Sequence, residues 1–282
     1  MDWRVAKPSV IVINSLVARG SVGGRASVFA LERLGFPVVF VPTVTLPWHP
    51  GHGRATRMAP EAGTFAALLG DLADAPWLGT VGAVLTGYFG GADQIEPTAR
   101  FVAALKAANP QALHLCDPNI GDTGGLFQPE AVAAAIRDRL LPLADIATPN
   151  RFELDWLTGG ASGDPAFVAA TLGPAEVLVT SAREDARQRT IETLVAAREG
   201  RFRLAHRWLP DNTVHGTGDL FAALYLGHRL DGAAAEAAAA RAAGAVLRLV
   251  AAANRDRLDE MPLAASQDAI LAPPADVSIT RI

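Results

Sequence analysis

The sequence predicts an α/β protein: a mostly parallel sheet with helices on both faces and an antiparallel hairpin at its edge. Three observations carry that expectation. Short apolar, β-branched runs alternate with stretches of helical length from residue 9 to residue 180, the pattern of strands joined by crossover helices. Polar residues (Ser15, Tyr88, Asp117, Asn150, Thr180 and Ser181) recur where those runs end. Beyond them, Thr193-Leu-Val-Ala-Ala and Arg201-Phe-Arg-Leu-Ala-His206 flank Arg198-Glu199-Gly200 as the arms of a hairpin do.

Taken in order, Ser9-Val-Ile-Val-Ile-Asn-Ser15 is a buried first strand. The glycine cluster Gly20-Ser-Val-Gly-Gly24 turns the chain into a helix over residues 26–34, which Gly35 ends. Residues 36–41 make the second strand, and a loop rich in Pro and Gly runs from 42 to 57. A helix over 61–72, a strand over 81–86, a helix over 94–108 and a strand over 112–116 follow. Residues 130–140 form a helix and 146–148 a strand; Pro149-Asn150 then opens a helix that carries Glu153. A short helix over 165–172 precedes the strand 177–180. Residues 183–189 are charged enough to be an exposed loop and a candidate lid. The alanine-rich stretch 233–253 is a strong helix by propensity. Residues 272–282 show little periodicity, and no element is assigned there.

With 282 residues, 50% of them hydrophobic, the chain can bury a substantial core, and one domain over residues 1–282 is expected. Its apolar stretches are broken by Arg, Gly or Pro before they reach the length of a membrane span. The N-terminal stretch Met1-Asp-Trp-Arg-Val-Ala-Lys-Pro8 lacks the apolar segment of a secretory signal. Cys116 is the single cysteine, which rules out an internal disulfide and fits a reducing compartment. A cytoplasmic protein without a membrane partner is therefore expected. The net charge of −4, with no basic block, argues against nucleic acid as a partner. Neither of the two lysines, Lys7 and Lys106, lies in a glycine-rich loop, and no Gly-x-x-x-x-Gly-Lys-Ser/Thr loop is present. If this chain moves phosphate, it does so with backbone amides, metal or arginine.

The chain is organised around residues 212–230, which begin Asn212-Thr213-Val214-His215 and continue as Gly216-Thr217-Gly218-Asp219 into an apolar helical run. Glycines beside a threonine allow a sharp turn and close approach of backbone N–H groups to a ligand. A helix beginning there has unpaired N–H groups and the positive end of its dipole at its mouth, which suits a phosphate. Asp219 either caps that helix or stands beside whatever the amides bind. Elsewhere, the polar strand ends place a ligand site at the carboxyl edge of the sheet. His49 and His52 have a spacing that can hold a metal, but no further ligand is evident nearby, so a plain loop is the simpler reading. Cys116, on a buried strand, is a core residue unless it faces the pocket, where a thiol can add to an aldehyde.

Gly216-Thr217-Gly218-Asp219 followed by Leu-Phe-Ala-Ala resembles the signature of the ribokinase-like kinases. Together with residues 15–35, Leu85-Thr-Gly-Tyr-Phe-Gly90, Cys116-Asp-Pro-Asn-Ile-Gly-Asp122, Ala144-Asp-Ile-Ala-Thr-Pro-Asn-Arg-Phe-Glu153 and Val179-Thr-Ser181, it resembles the pyridoxal kinases within that superfamily. The resemblance covers about residues 10–253. It implies a three-layer α/β/α fold, ATP with magnesium, a monovalent cation such as potassium, and a homodimer acting on a small-molecule B6 vitamer. Residue by residue, it implies that Asp219 is the catalytic base and that Gly216, Thr217 and Gly218 form the anion hole. Asp117 and Glu153 are implied to hold magnesium through water, and Asn150, Thr180 and Ser181 to lie near the nucleotide phosphates. Ser15, Tyr88, Cys116 and His49 are implied to face the vitamer. This chain departs from the family's usual pattern at Pro50, which follows His49 where a threonine is common, at Asn119, and in the absence of glycines after Ser181. Pyridoxine or a hydroxymethylpyrimidine is an alternative acceptor, and a non-catalytic vitamer-binding protein of the same fold is an alternative from another class.

Overall fold

The computed structural model describes residues 7–209 and 214–282, so the readings placed on residues 1–6 and on Asn212 and Thr213 lie outside the described residues. β1 (Ser9–Arg19), α1 (Gly24–Arg33) and β2 (Val38–Trp48) open the fold. α2 (Ala62–Ala73), β3 (Val81–Thr86), α3 (Ile95–Ala108) and β4 (Leu113–Cys116) continue the alternation. A small ribbon of β5 (Gly121–Asp122) and β6 (Gly125–Leu126) precedes α4 (Glu130–Ala135). β7 (Ile146–Ala147), α5 (Arg151–Leu157), α6 (Pro165–Ala169) and β8 (Glu176–Asp185) follow. β9 (Thr190–Ala197) and β10 (Gly200–Arg207) form the hairpin. α7 (Thr217–Leu230), α8 (Ala235–Asp256), α9 (Asp268–Leu271) and β11 (Ser278–Arg281) complete the chain.

Nine strands form one sheet in the order β11-β10-β9-β8-β7-β4-β3-β1-β2. The pairs from β2 to β8 are parallel, and β8–β9, β9–β10 and β10–β11 are antiparallel. Alternation along each strand sorts the core into two layers. Val10, Val12, Leu85 and Leu178 join the α1, α7 and α8 side. Ile11, Ile13, Val84 and Val179 join the side of α2 to α6. The three layers follow from that period of two, since both faces of the sheet are apolar and each must be covered. The chain passes from β2 back across β1 to β3, and at such a reversal the loops after neighbouring strands part to leave a crevice. Among the described residues, no helix is long and apolar enough to cross a membrane.

Three expectations need correction. The stretch 42–57 is not all loop, because β1 runs on to Arg19 and pairs with β2 as far as Trp48. Pro42 and Pro47 masked this strand; β2 is the sheet edge, where a missing N–H is tolerated. Only part of the charged stretch 183–189 is loop: Arg183, Glu184 and Asp185 are strand, paired with Glu192, Ile191 and Thr190, and residues 186–189 are the exposed turn to β9. Arg183 is bonded to Asp164 at 2.5 Å and lies 3.7 Å from Glu192. The helix expected over 130–140 is α-helical only to Ala135 and continues as a π-helical turn over Ile136–Leu140.

Candidate active site

α7 starts at a glycine. Gly216 occupies the N-cap position at φ 83°, and its side-chain position is filled: a Cβ there would stand 2.3 Å from the Ser21 carbonyl oxygen. No side chain caps α7, and Gly216, Thr217 and Gly218 line the crevice, so its first amides stand where the open end of a helix suits an anion. Asp219, within the first turn, is not the cap. Its Oδ2 accepts the Gly23 N–H at 2.9 Å, and its Oδ1 accepts from Asn14 Nδ2 at 3.0 Å and Asn119 Nδ2 at 3.3 Å. Burial holds the Asp219 carboxyl above the usual range, against the bonds from Gly23 and Asn14 that favour its ionised form. The carboxylate is 7% exposed, and it lines a cavity of about 710 Å³.

Asp117 and Glu153 approach the same cavity from β4 and α5. Asn150 and Glu153 form a reciprocal capping box: Asn150 Oδ1 accepts the Glu153 N–H at 2.9 Å, and Glu153 Oε2 accepts the Asn150 N–H at 2.8 Å. Glu153 Oε1 also accepts the Ile120 N–H at 2.7 Å, pinning the loop after β4. Asn150 Nδ2 donates to the Gly121 carbonyl at 2.7 Å. Asp117 Oδ1 accepts from the Thr148 hydroxyl at 2.9 Å. Burial pushes Glu153 up to about 7, and burial with the charges of Glu153 and Asp219 pushes Asp117 well above its ordinary value. Three buried carboxylates crowd one wall, a charge that a cation would relieve.

Thr180 and Ser181 sit where the β8–β9 ladder breaks, between Val179 and Arg183. Ser181 has φ 47°, a conformation that non-glycine residues seldom adopt, and the break turns both residues toward the crevice. Thr180, Ser181, Thr217 and Gly218 line the 710 Å³ cavity and also a second cavity of about 270 Å³ between β9, β10 and α8. The two cavities therefore meet at the mouth of α7.

Ser15, Tyr88 and His49 line the larger cavity. Tyr88 is held by Arg57, which donates to its hydroxyl at 3.1 Å, and by its own N–H on Asn14. His49 is joined by His52 and His215, a grouping that chain distance concealed. Among the described residues, no three His, Cys, Asp or Glu side chains are grouped to hold a metal directly. Cys116 does not join the others. It is 1% exposed in the core and does not line the cavity; burial pushes its thiol up to about 12.

Sequence reasoning missed Asn14, Gly23, His215 and, as an Asp219 contact, Asn119. Asn14 is fully buried: its Oδ1 accepts the Ser15 and Tyr88 N–H groups at 2.7 and 3.0 Å while its Nδ2 reaches Asp219. The available signal was an amide inside an otherwise apolar strand, since a buried Asn needs partners.

Residues 79–259 match the family model described as phosphomethylpyrimidine kinase. The chain is 38% identical to the pyridoxal kinase PdxY of Rubrobacter xylanophilus, over 97% of each chain. It is also 38% identical to that of Granulibacter bethesdensis, over 86% of this chain and 88% of the relative. Among solved structures, the pyridoxal kinase of Leishmania donovani in complex with ADP and pyridoxine superposes with a TM-score of 0.87 at 27% identity, covering 97% of this chain and 99% of that one. The ribokinase-like fold, the glycine-rich mouth of α7 and the full-length likeness to these relatives agree, and the chain belongs to the pyridoxal kinase family.

Proposed function

We propose that this chain transfers the terminal phosphoryl group of ATP to the 5′-hydroxymethyl group of pyridoxal, giving pyridoxal 5′-phosphate. One observation carries the reading: an oriented carboxylate, Asp219, lies in the first turn of a helix with an open N-terminus, at the junction of two cavities. The nucleotide occupies the smaller cavity, its base against Ile191, Phe221 and Val250. The vitamer occupies the larger one, between Ser15, Tyr88 and His49. Asp219 takes the hydroxyl proton as the alcohol oxygen bonds to the terminal phosphorus and the bond to the ADP oxygen breaks. The amides of Gly216, Thr217 and Gly218 receive the charge on the phosphoryl oxygens. Asn150, Thr180 and Ser181 flank the phosphates.

Magnesium fits the donor set. Asp117 and Glu153 offer hard oxygen ligands in a crowded anionic wall, the kind of donor that magnesium takes together with water and phosphate oxygens. When bound, it neutralises charge on the phosphate oxygens. Potassium as the monovalent ion, a homodimer and a cytoplasmic location complete the proposal, which includes neither nucleic acid nor membrane as a partner. Exposed Trp48 and Met58, at the edge strand β2 to which Met58 is bridged at Thr45, support the homodimer.

The test is a panel of acceptors (pyridoxal, pyridoxine, pyridoxamine and a hydroxymethylpyrimidine) assayed with ATP, magnesium and potassium, each ion omitted in turn. Pyridoxal is expected to give the highest kcat/KM. A higher value for the pyrimidine overturns the acceptor, and no product from any acceptor leaves a vitamer-binding protein.

A further inference from the structure

Two imidazoles of the larger cavity stand outside the transfer apparatus. His49 and His215 lie ring on ring, with centroids 3.8 Å apart and planes at 25°. His49 Nδ1 accepts the Gly51 N–H at 3.0 Å, so the neutral ring carries its proton on Nε2. The fit is close: a Cβ on Gly51 would stand 2.6 Å from His215 Nε2 and 2.9 Å from His49 Nδ1. His52 meets both rings edge-on, at 6.4 and 6.0 Å between centroids. Its Nε2 lies 3.3 Å from Glu260 Oε1, and Glu260 also accepts the Ser21 N–H at 2.8 Å.

The setting is anionic. Asp117, Asp122, Glu153 and Asp219 line the cavity, and among the described residues no Lys or Arg does. The proposed reaction leaves a phosphate dianion in that cavity, where the residues able to become cations are His49 and His215. His215 directly precedes Gly216, the residue that opens the amide mouth. Without a ligand both rings are held toward the neutral form: burial lowers His49 to about 4, helped by His215 and His52. Burial and His52 lower His215, while Glu260 and Asp122 pull the other way. Two imidazoliums face to face at this distance repel, so the stack carries one proton at most.

Resting on the kinase reading above, we propose that the His49–His215 stack is a proton-linked phosphate site. In it, His215 takes a proton from solvent when a phosphate dianion settles on the amides of Gly216, Thr217 and Gly218. The stacked neutral His49 braces the charged ring, and the site gains a positive charge only while phosphate is present. Phosphate affinity is then full at neutral pH and is lost as pH rises through the value His215 has in the complex.

Calorimetric titration of the full chain with pyridoxine 5′-phosphate and with pyridoxine, which lack a lysine-reactive aldehyde, tests this. Titrations at pH 8 in buffers of different ionisation enthalpy are expected to show net proton uptake with the phosphate ester beyond that with pyridoxine. Affinity for the ester is expected to fall about tenfold from pH 7 to pH 9, the loss of one charge-assisted bond. His215→Gln removes the extra uptake and weakens the ester about tenfold by the same reasoning, and His215→Lys restores affinity without the pH dependence. Equal proton uptake with both ligands, or uptake that survives in His215→Gln, overturns the proposal alone. Failure of the unmutated chain to bind either ligand overturns the vitamer-kinase reading and this proposal with it.

Discussion

Asn14 Nδ2 donates to Asp219 Oδ1 at 3.0 Å, tying β1 to the first turn of α7. Its Oδ1 holds the Ser15 and Tyr88 N–H groups, so one amide aligns the proposed base and two residues that line the cavity. Asn14→Ala is expected to lower kcat/KM about 100-fold, since small misplacements of a reacting group have effects of that size. Leaving buried partners unpaired is expected to destabilise the fold by about 1–3 kcal/mol. Steady-state kinetics beside thermal melting separates the two effects. A variant that melts lower yet keeps its kcat/KM would reduce Asn14 to a structural residue.

Asp219→Asn keeps the shape and hydrogen-bonding size of the side chain but cannot take a proton. We expect kcat to fall by about 10²–10⁴, the range for loss of a general base, while pyridoxal still binds. The pH profile gives a second readout. Because burial raises the Asp219 carboxyl, the base is protonated at pH values where an ordinary aspartate is ionised. In the parent, kcat/KM rises as pH climbs through that raised value. The acid limb should lie above the ordinary aspartate range and vanish from the residual activity of Asp219→Asn.

Glu153 links stability to pH. Its carboxyl is pushed from 4.5 up to about 7, first by burial, so the folded chain binds a proton that the unfolded chain releases. The sign follows: this stabilising contribution is full below pH 4.5 and is lost as pH rises through about 7. Several buried histidines titrate in the opposite sense, so the informative quantity is a difference between variants. Glu153→Gln keeps one acceptor oxygen where the carboxylate uses two, on the Ile120 and Asn150 N–H groups, so it carries a constant cost for the unmatched N–H but removes the titration. Relative to the parent it should gain stability between pH 5 and pH 8, by on the order of 3 kcal/mol at most. Urea melts at both pH values measure it, and a pH-independent difference would refute the charge argument.

Much of this architecture was legible because it rests on local periodicity. The apolar runs that became β1, β3, β4 and β8 alternate strictly between two cores, and the polar residue ending each run stands at the crevice. What escaped rests on sheet position or on contacts between distant segments. β2 was cut short at Pro42 because nothing local says that a strand is an edge. Arg183 to Asp185 looked like loop because their partners, Asp164 and Glu192, lie on other elements. His215 joins His49 and His52 only through the tertiary fold. Asn150 and Glu153 are the reverse case, since Asn-x-x-Glu before an apolar run is a local capping signal, and their bonds hold the loop carrying Asn119 and Ile120.

Cys116 separates a resemblance from a geometry. Its neighbour Asp117 reaches the cavity, but alternation along β4 sends the two side chains to different surroundings, and the thiol enters the layer of α2 to α6. Its thiol, pushed up to about 12 by burial, is neutral at any working pH, and the thiolate is the nucleophile. Native protein should therefore resist thiol reagents at pH 8 and react after unfolding. Cys116→Ala should lose about 1 kcal/mol of stability for one small buried group and keep its KM for pyridoxal. Rapid labelling of the folded chain, slowed by pyridoxal, would return the thiol to the acceptor site and require that β4 turn its last residue toward the crevice.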